Sequence, residues 1–294
     1  MNSILFTLLI SLLFVLSSCT LPNTPHINTL EKEAKEKATH QGKIYKNVIY
    51  KSTLFHTIKL DIYEPFDSSI QKAPVYLYIH GGSWLHGDKE LVNIYANTMQ
   101  TLRENGIAVV SIDYRFISQS GIEAMISDCF DALSFLQKNN LKYRLDPHTI
   151  GIHGHSAGAN LALILGLNIS KKSKDILFIV DEYGPSNSIK LLNQSKKVPW
   201  WSVFISNSDL EELSPIMMIH SHVPPIYIAH GDADKTVPLS QSKNLYKELL
   251  TLGVKTQLHI LNGADHGYKG LSKVQIKRHR EEVLNYMLKA YKKR

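Results

Sequence analysis

Cysteine is scarce. Only Cys19 and Cys129 occur in 294 residues. If Cys19 carries lipid, Cys129 is alone and no internal disulfide can form. Ile122, Met125, Ile126, Cys129, Leu133 and Leu136 recur at helical spacing. That pattern makes Cys129 a buried structural thiol rather than a reactive one. A concentrated block of one charge is also lacking. The formal charge is +7, yet the basic residues are scattered as Lys171-Lys172, Lys196-Lys197, Lys277-Arg278 and Lys292-Lys293-Arg294. No long basic block interleaves with aromatics, which argues against nucleic acid. A solvated surface, or weak attraction to anionic envelope polymers or headgroups, fits better. The histidines show no ligand spacing on one helix and no clustering with carboxylates, so neither a metal nor a cofactor is expected.

The apolar run Ile4 to Leu16, broken only by Thr7 and Ser11, is too short to span a bilayer but fits a secretory leader. It ends in Leu16-Ser17-Ser18-Cys19, which resembles a bacterial lipoprotein box with Cys19 as the lipidated residue. Met1-Asn2-Ser3 carries no lysine or arginine, so ordinary signal cleavage or an uncleaved anchor stand as alternatives. The expected organisation is a leader over 1–18, a polar tether over 19–43 and one domain over 44–294. The chain is then exported and held at a bacterial membrane through Cys19, with secretion or a periplasmic location as the alternative.

From about Lys43, short apolar runs alternate with helical stretches. Strands are expected at Lys43–Tyr50, Ile58–Tyr63, Val75–Ile79, Ala108–Ile112, Thr149–Ile152, Ile176–Val180, Pro225–Ala229 and Gln257–Leu261. Helices are expected at Leu91–Asn105, Glu123–Asn139, from Ala157, at Leu239–Leu252 (stopped by Gly253) and at Val274–Lys289, with a turn at Asp146-Pro147. This is an α/β pattern: a mostly parallel sheet covered on both faces. Residues 186–223 interrupt the rhythm and are expected to form a small cap. Within them Trp200 and Trp201 either wall a pocket or simply pack.

Gly154-His155-Ser156-Ala157-Gly158 matches G-x-S-x-G, with an apolar strand before it and a helix-prone run after it. In that context the serine sits on a sharp strand-to-helix turn with its hydroxyl projecting from the sheet. A serine that only caps the helix is the bland alternative. Serine needs a base, an acid to orient the base, and donors for an oxyanion. His266, in Gly263-Ala264-Asp265-His266-Gly267 after the last strand, is the base candidate. Asp234 is favoured as the acid over Asp232 in the same loop, with Asp181 and Glu182 more remote and Asp265 too close in sequence to hold the ring. Gly81 and Gly82, after the strand ending at Ile79, and Ala157, at the start of the following helix, are the oxyanion donors. His80, His153, His155 and His259 are expected to shape or pack the fold.

Together these motifs resemble the α/β-hydrolase superfamily. Within it they resemble hormone-sensitive-lipase-like carboxylesterases, and most closely the bifunctional feruloyl and acetyl-xylan esterase-like group. The likeness covers about residues 45–290. It rests on Tyr78 to Trp84, Gly87-Asp88-Lys89, Asp113-Tyr114-Arg115, Asp128, Asp146-Pro147, Gly154 to Asn160, Gly184-Pro185, the Asp234 loop and His266. It implies an α/β-hydrolase fold and hydrolysis of a small ester through Ser156, Asp234 and His266, with Ser83 and Trp84 near the substrate. Ser83 replaces a third glycine often found in such loops, a form shared with kynurenine-formamidase-like relatives. An amidase or serine peptidase is therefore one alternative, and a non-catalytic envelope lipoprotein another.

Overall fold

The computed structural model describes residues 42–194, 202 and 205–293. The leader, nearly all of the tether and Cys19 lie outside the described residues, as do Trp200 and Trp201.

Eight strands form one sheet: β1 (Ile44–Ser52), β2 (Thr57–Tyr63), β3 (Ala73–Ile79), β4 (Ala108–Ile112), β5 (Leu145–His155), β6 (Ile176–Glu182), β7 (Ile226–Gly231) and β8 (Thr256–Leu261). Their order is β1-β2-β4-β3-β5-β6-β7-β8. β1 pairs antiparallel with β2, and β2 with β4; all other pairs are parallel. The helices are α1 (Ala96–Glu104), α2 (Ile117–Lys138), α3 (Asn140–Tyr143), α4 (Ala157–Ser170), α5 (Ser188–Gln194), α6 (Asn207–Glu212), α7 (Ser240–Thr251) and α8 (Lys273–Lys292).

Alternation along the strands sorts side chains onto two faces. Leu77, Ile79, Ile150 and Ile152 face α2, α4 and α7, meeting Met125, Leu133, Leu161 and Leu245. Tyr76, Tyr78, Phe178 and Tyr227 face the other way, toward Met99 and Leu102 of α1 and Val283 and Met287 of α8. Cys129 lies in the first cluster, 1% exposed, and burial pushes its thiol up, as an inert core position requires.

Three expectations shift. Lys89–Tyr95 is a 3₁₀ turn, and only Ala96 onward is α-helical. α2 begins at Ile117 and runs through a kink at Gly121, whose φ of 77° ends the first turn before the periodic segment begins. Asp146-Pro147 lies inside β5 rather than in a turn; the register slips beside it, between Ala73 and Val75 of β3, so Pro147 interrupts no ladder pair.

The chain leaves β3 toward α1 on one face and leaves β5 into α4 on the other. β3 and β5 are neighbours, so their carboxyl ends flank a switch point where α/β sheets open a crevice. Both the glycine loop and Ser156 emerge there.

Candidate active site

Ser156 lies between the end of β5 and the first residue of α4, with φ 54° and ψ −124°. Such a conformation costs a non-glycine residue about 1–3 kcal/mol and must be held by its surroundings. The Ser156 N–H donates to the Glu182 carbonyl at 2.9 Å, and the Ser156 carbonyl accepts from the N–H groups of Ala159 and Asn160 at 3.0 and 3.2 Å. Its side chain makes no capping bond to α4, unlike a simple helix-cap serine. A Cβ on Gly154 would stand 2.2 Å from the Gly158 carbonyl oxygen, and one on Gly158 only 2.1 Å from that of Ile79. Both glycines therefore answer to close backbone approach.

His266 opens a 3₁₀ turn after β8 and Asp234 follows β7. The Ser156 Oγ to His266 Nε2 distance is 2.9 Å, and His266 Nδ1 to Asp234 Oδ2 is 2.8 Å. The other Asp234 oxygen accepts the N–H groups of Thr236 and Val237, each at 2.8 Å. A carboxylate on Nδ1 keeps the proton there, so the Nε2 lone pair faces the serine hydroxyl, which donates to it. Burial pushes the Asp234 carboxyl upward. Hydrogen bonds from His230, His266 and the Val237 amide outweigh that push and hold it well below the usual carboxylate range.

The competing carboxylates go elsewhere. Exposed Asp232 accepts the Gly263 N–H at 2.7 Å, tying the loop after β7 to the loop after β8. Asp265 accepts the N–H groups of His266 and Lys235, at 2.7 and 3.0 Å, and fixes the backbone beneath the ring. Asp181 is buried and accepts the Gly184 N–H at 2.9 Å. Glu182 is buried beneath the elbow. It accepts from Tyr95 Oη and from His279 Nε2 (3.1 Å), and His153 Nε2 stands 3.7 Å away. Burial raises its pKa, and these imidazoles outweigh the burial, keeping it ionised.

The glycine loop turns back on itself through positive φ at Gly82 (129°), Ser83 (53°) and Trp84 (61°). A Cβ on Gly81 would meet the His155 carbonyl oxygen at 2.7 Å, so the loop lies directly against the elbow. Ala157, 2% exposed, starts the 14-residue α4. His80 Nδ1 donates to the Gly81 carbonyl at 2.7 Å while its ring stacks on Tyr114; burial lowers its pKa to about 4, so it stays neutral. Burial likewise lowers His155 to about 4, and His155 bonds to Tyr78 Oη at 2.7 Å. Ser83 is half-buried. Trp84, 2% exposed, packs in the apolar cluster together with residues of α2 and α4.

Two neighbours of the site carry no sequence motif. Tyr183, φ 46°, stands edge-on to the His266 ring at 4.9 Å. His230 is fully buried. Its Nε2 lies 2.8 Å from the Val237 carbonyl and 3.4 Å from Asp234 Oδ2, and its Nδ1 is 2.7 Å from Ser242 Oγ. Both partners of Nε2 are acceptors, so Nε2 carries a proton and braces the acid loop.

The family model described as BD-FAE matches residues 60–249. The chain belongs to the BD-FAE family. The chain is 29% identical over 232 residues to a probable isoprenylcysteine alpha-carbonyl methylesterase of Oryza sativa, covering 71% of this chain and 54% of that one. It is 27% identical over 197 residues to rabbit (Oryctolagus cuniculus) arylacetamide deacetylase, covering 61% and 49%. The chain thus spans about half the length of the curated relatives it matches. Among solved structures, a truncated carbohydrate esterase from gut microbiota superposes with a TM-score of 0.71 at 23% identity, covering 86% of this chain and 97% of that one. A Thermogutta terrifontis esterase follows at 0.69 and 20%, covering 84% and 91%. With the mostly parallel sheet, these likenesses establish the BD-FAE chain's α/β-hydrolase fold.

Proposed function

We propose that this protein is a serine carboxylesterase acting on short acyl or aryl esters through Ser156, His266 and Asp234. The hydrogen-bonded series from Ser156 Oγ through His266 to Asp234, at 2.9 and 2.8 Å, carries the reading. Ser156 Oγ attacks the ester carbonyl carbon as its proton passes to His266 Nε2. The carbonyl oxygen becomes an oxyanion beside the N–H groups of Gly81, Gly82 and Ala157. The C–O bond to the alcohol breaks, and the alcohol leaves with the proton from His266. The acyl group stays on Ser156. His266 then takes a proton from water, the hydroxide adds to the acyl carbon, and the acid departs as Ser156 regains its proton. Asp234 stays ionised throughout and stabilises the imidazolium. The methylesterase and deacetylase names among the relatives support removal of small groups. Turnover of p-nitrophenyl acetate that vanishes in Ser156→Ala, while the fold persists by circular dichroism, supports the reading; normal turnover in that variant overturns it.

We propose also that the mature protein is held at a membrane by acyl chains on Cys19. Support comes from the Leu16-Ser17-Ser18-Cys19 sequence, because several chains on one cysteine anchor stably where one does not.

A further inference from the structure

Glu182, Ala229 and His259 are register neighbours across β6, β7 and β8. Their side chains share the face covered by α8, and the small Ala229 leaves a gap between the two polar groups. His279 of α8 fills it. Its Nε2 stands 3.1 Å from Glu182 Oε1, and its ring lies edge-on to that of His259 with centroids 5.6 Å apart. Glu182 only accepts, so His279 Nε2 donates to it, which leaves Nδ1 as the nitrogen open to a ligand. That Nδ1 has no hydrogen-bond partner among the described residues, on a side chain 2% exposed. A buried polar atom that the chain leaves unpaired is open to a partner from outside it, a water or an ion. Glu282, one helical turn after His279, reaches the same place, with Oε2 at 2.9 Å from His259 Nδ1. One donor atom from each of His259, His279 and Glu282 falls within 4.8 Å of the others.

We propose that His259, His279 and Glu282 bind one divalent transition-metal ion of the zinc class. Two imidazoles and one carboxylate favour zinc over the oxygen-seeking calcium and magnesium. Four-coordinate zinc holds its donors about 3.3–3.6 Å apart, given bonds of about 2.0–2.2 Å. The His259 and Glu282 side chains, 36% and 44% exposed, can rotate inward by the missing ångström or so. Glu182 behind His279 completes a carboxylate–histidine–metal relay, which fixes the ring and raises its basicity. The ion's two positive charges then meet the negative charges of Glu282 and Glu182. A surface cavity of ≈ 550 Å³, lined by His259, Glu282, Tyr227, Tyr286 and Lys289, leaves room for water ligands. The bound ion pins α8 to β8. It also braces Glu182, whose main-chain carbonyl holds the Ser156 N–H. This site does not depend on the esterase reading, and its test needs no substrate.

The full chain in detergent, stripped with EDTA, is titrated with zinc chloride by calorimetry in a non-coordinating buffer. One saturable site per chain is expected, with affinity at least tenfold weaker in both His259→Ala and Glu282→Gln. At one fixed zinc concentration the rise in melting temperature should be larger for the wild type than for either variant. Cobalt(II) in place of zinc should give the intense visible bands of a four-coordinate ion. No saturable one-to-one uptake by the wild type, or unchanged affinity in either variant, overturns the proposal. Glu282 is exposed and His259 half-buried, and melting curves recorded without metal separate lost affinity from lost folding in each variant.

Discussion

Replacing Asp234 by asparagine changes one atom and reverses a proton. The amide oxygen of the new side chain can keep the N–H groups of Thr236 and Val237 that Asp234 accepts at 2.8 Å, so the loop holds its shape. The new NH₂ then takes the position of Oδ2, 2.8 Å from His266 Nδ1. A donor there requires an unprotonated Nδ1, which moves the ring proton to Nε2. Nε2 lies 2.9 Å from Ser156 Oγ and would now donate to it instead of receiving its proton. The imidazolium formed during attack also loses its neighbouring negative charge. A wrong-tautomer base of this kind costs about 10⁴ in kcat, or about 5 kcal/mol. His230 Nε2, 3.4 Å from the same oxygen, would face a second donor, yet it keeps the Val237 carbonyl at 2.8 Å. Folding should therefore survive. The assay is steady-state hydrolysis of p-nitrophenyl acetate alongside thermal melting. Asp232→Asn is the control: it is exposed and accepts a single backbone N–H, so it should stay within about threefold of wild type. Asp234→Asn within tenfold of wild type, or an equal loss in Asp232→Asn, would refute the tautomer reasoning.

Other perturbations read other parts of the structure. Burial pushes Asp181 up to about 7 from 3.8, so the folded state binds the extra proton between those values and stability falls as pH rises through them. Asp181→Asn should flatten that slope, a difference of roughly 4 kcal/mol across the window; parallel melting-versus-pH curves would contradict it. Gly158→Ala places a Cβ 2.1 Å from the Ile79 carbonyl oxygen and must push α4 off β3. It should destabilise by about 3 kcal/mol or more, and an unchanged urea midpoint would show the contact to be soft. Cys19→Ser should move the protein from membrane to soluble fractions; unchanged partitioning would favour an uncleaved leader.

The strand positions along the chain follow from features that survive in one dimension. Ala108–Ile112 is wholly apolar but for Ser111, and the strand occupies those same residues. Buried parallel strands need such runs, and glycine or charge bounds them. Helix starts are harder to read. The first turn of α2 precedes Gly121, where no periodic apolar pattern exists to mark it. Pro147 reads as a turn because its tolerance in β5 depends on a register slip in another strand. Ser156, His266 and Asp234 stand out because each follows a strand at its carboxyl end, which fixes their side of the sheet without coordinates. His230 lies on β7, Glu182 ends β6 and Tyr183 follows it, and none of the three carries a distinguishing spacing. The contacts of Glu182 with Ser156 and of Tyr183 with His266 join chain segments that the sheet brings together, while His230 meets Asp234 four residues further along the loop after β7. The His279 and Glu282 pair is equally silent, since a histidine and a glutamate three apart are unremarkable until β8 places His259 beside them.

Ser156 as the nucleophile and His266 as its base carry the whole account. Their most direct test is peptide mapping by mass spectrometry after brief exposure to diethyl p-nitrophenyl phosphate, which phosphorylates an activated serine and releases p-nitrophenol. A single adduct on Ser156, absent in Ser156→Ala and formed at least about a hundredfold more slowly in His266→Ala, is the predicted result. Labelling on another residue, or labelling of Ser156 at an undiminished rate without His266, would contradict it.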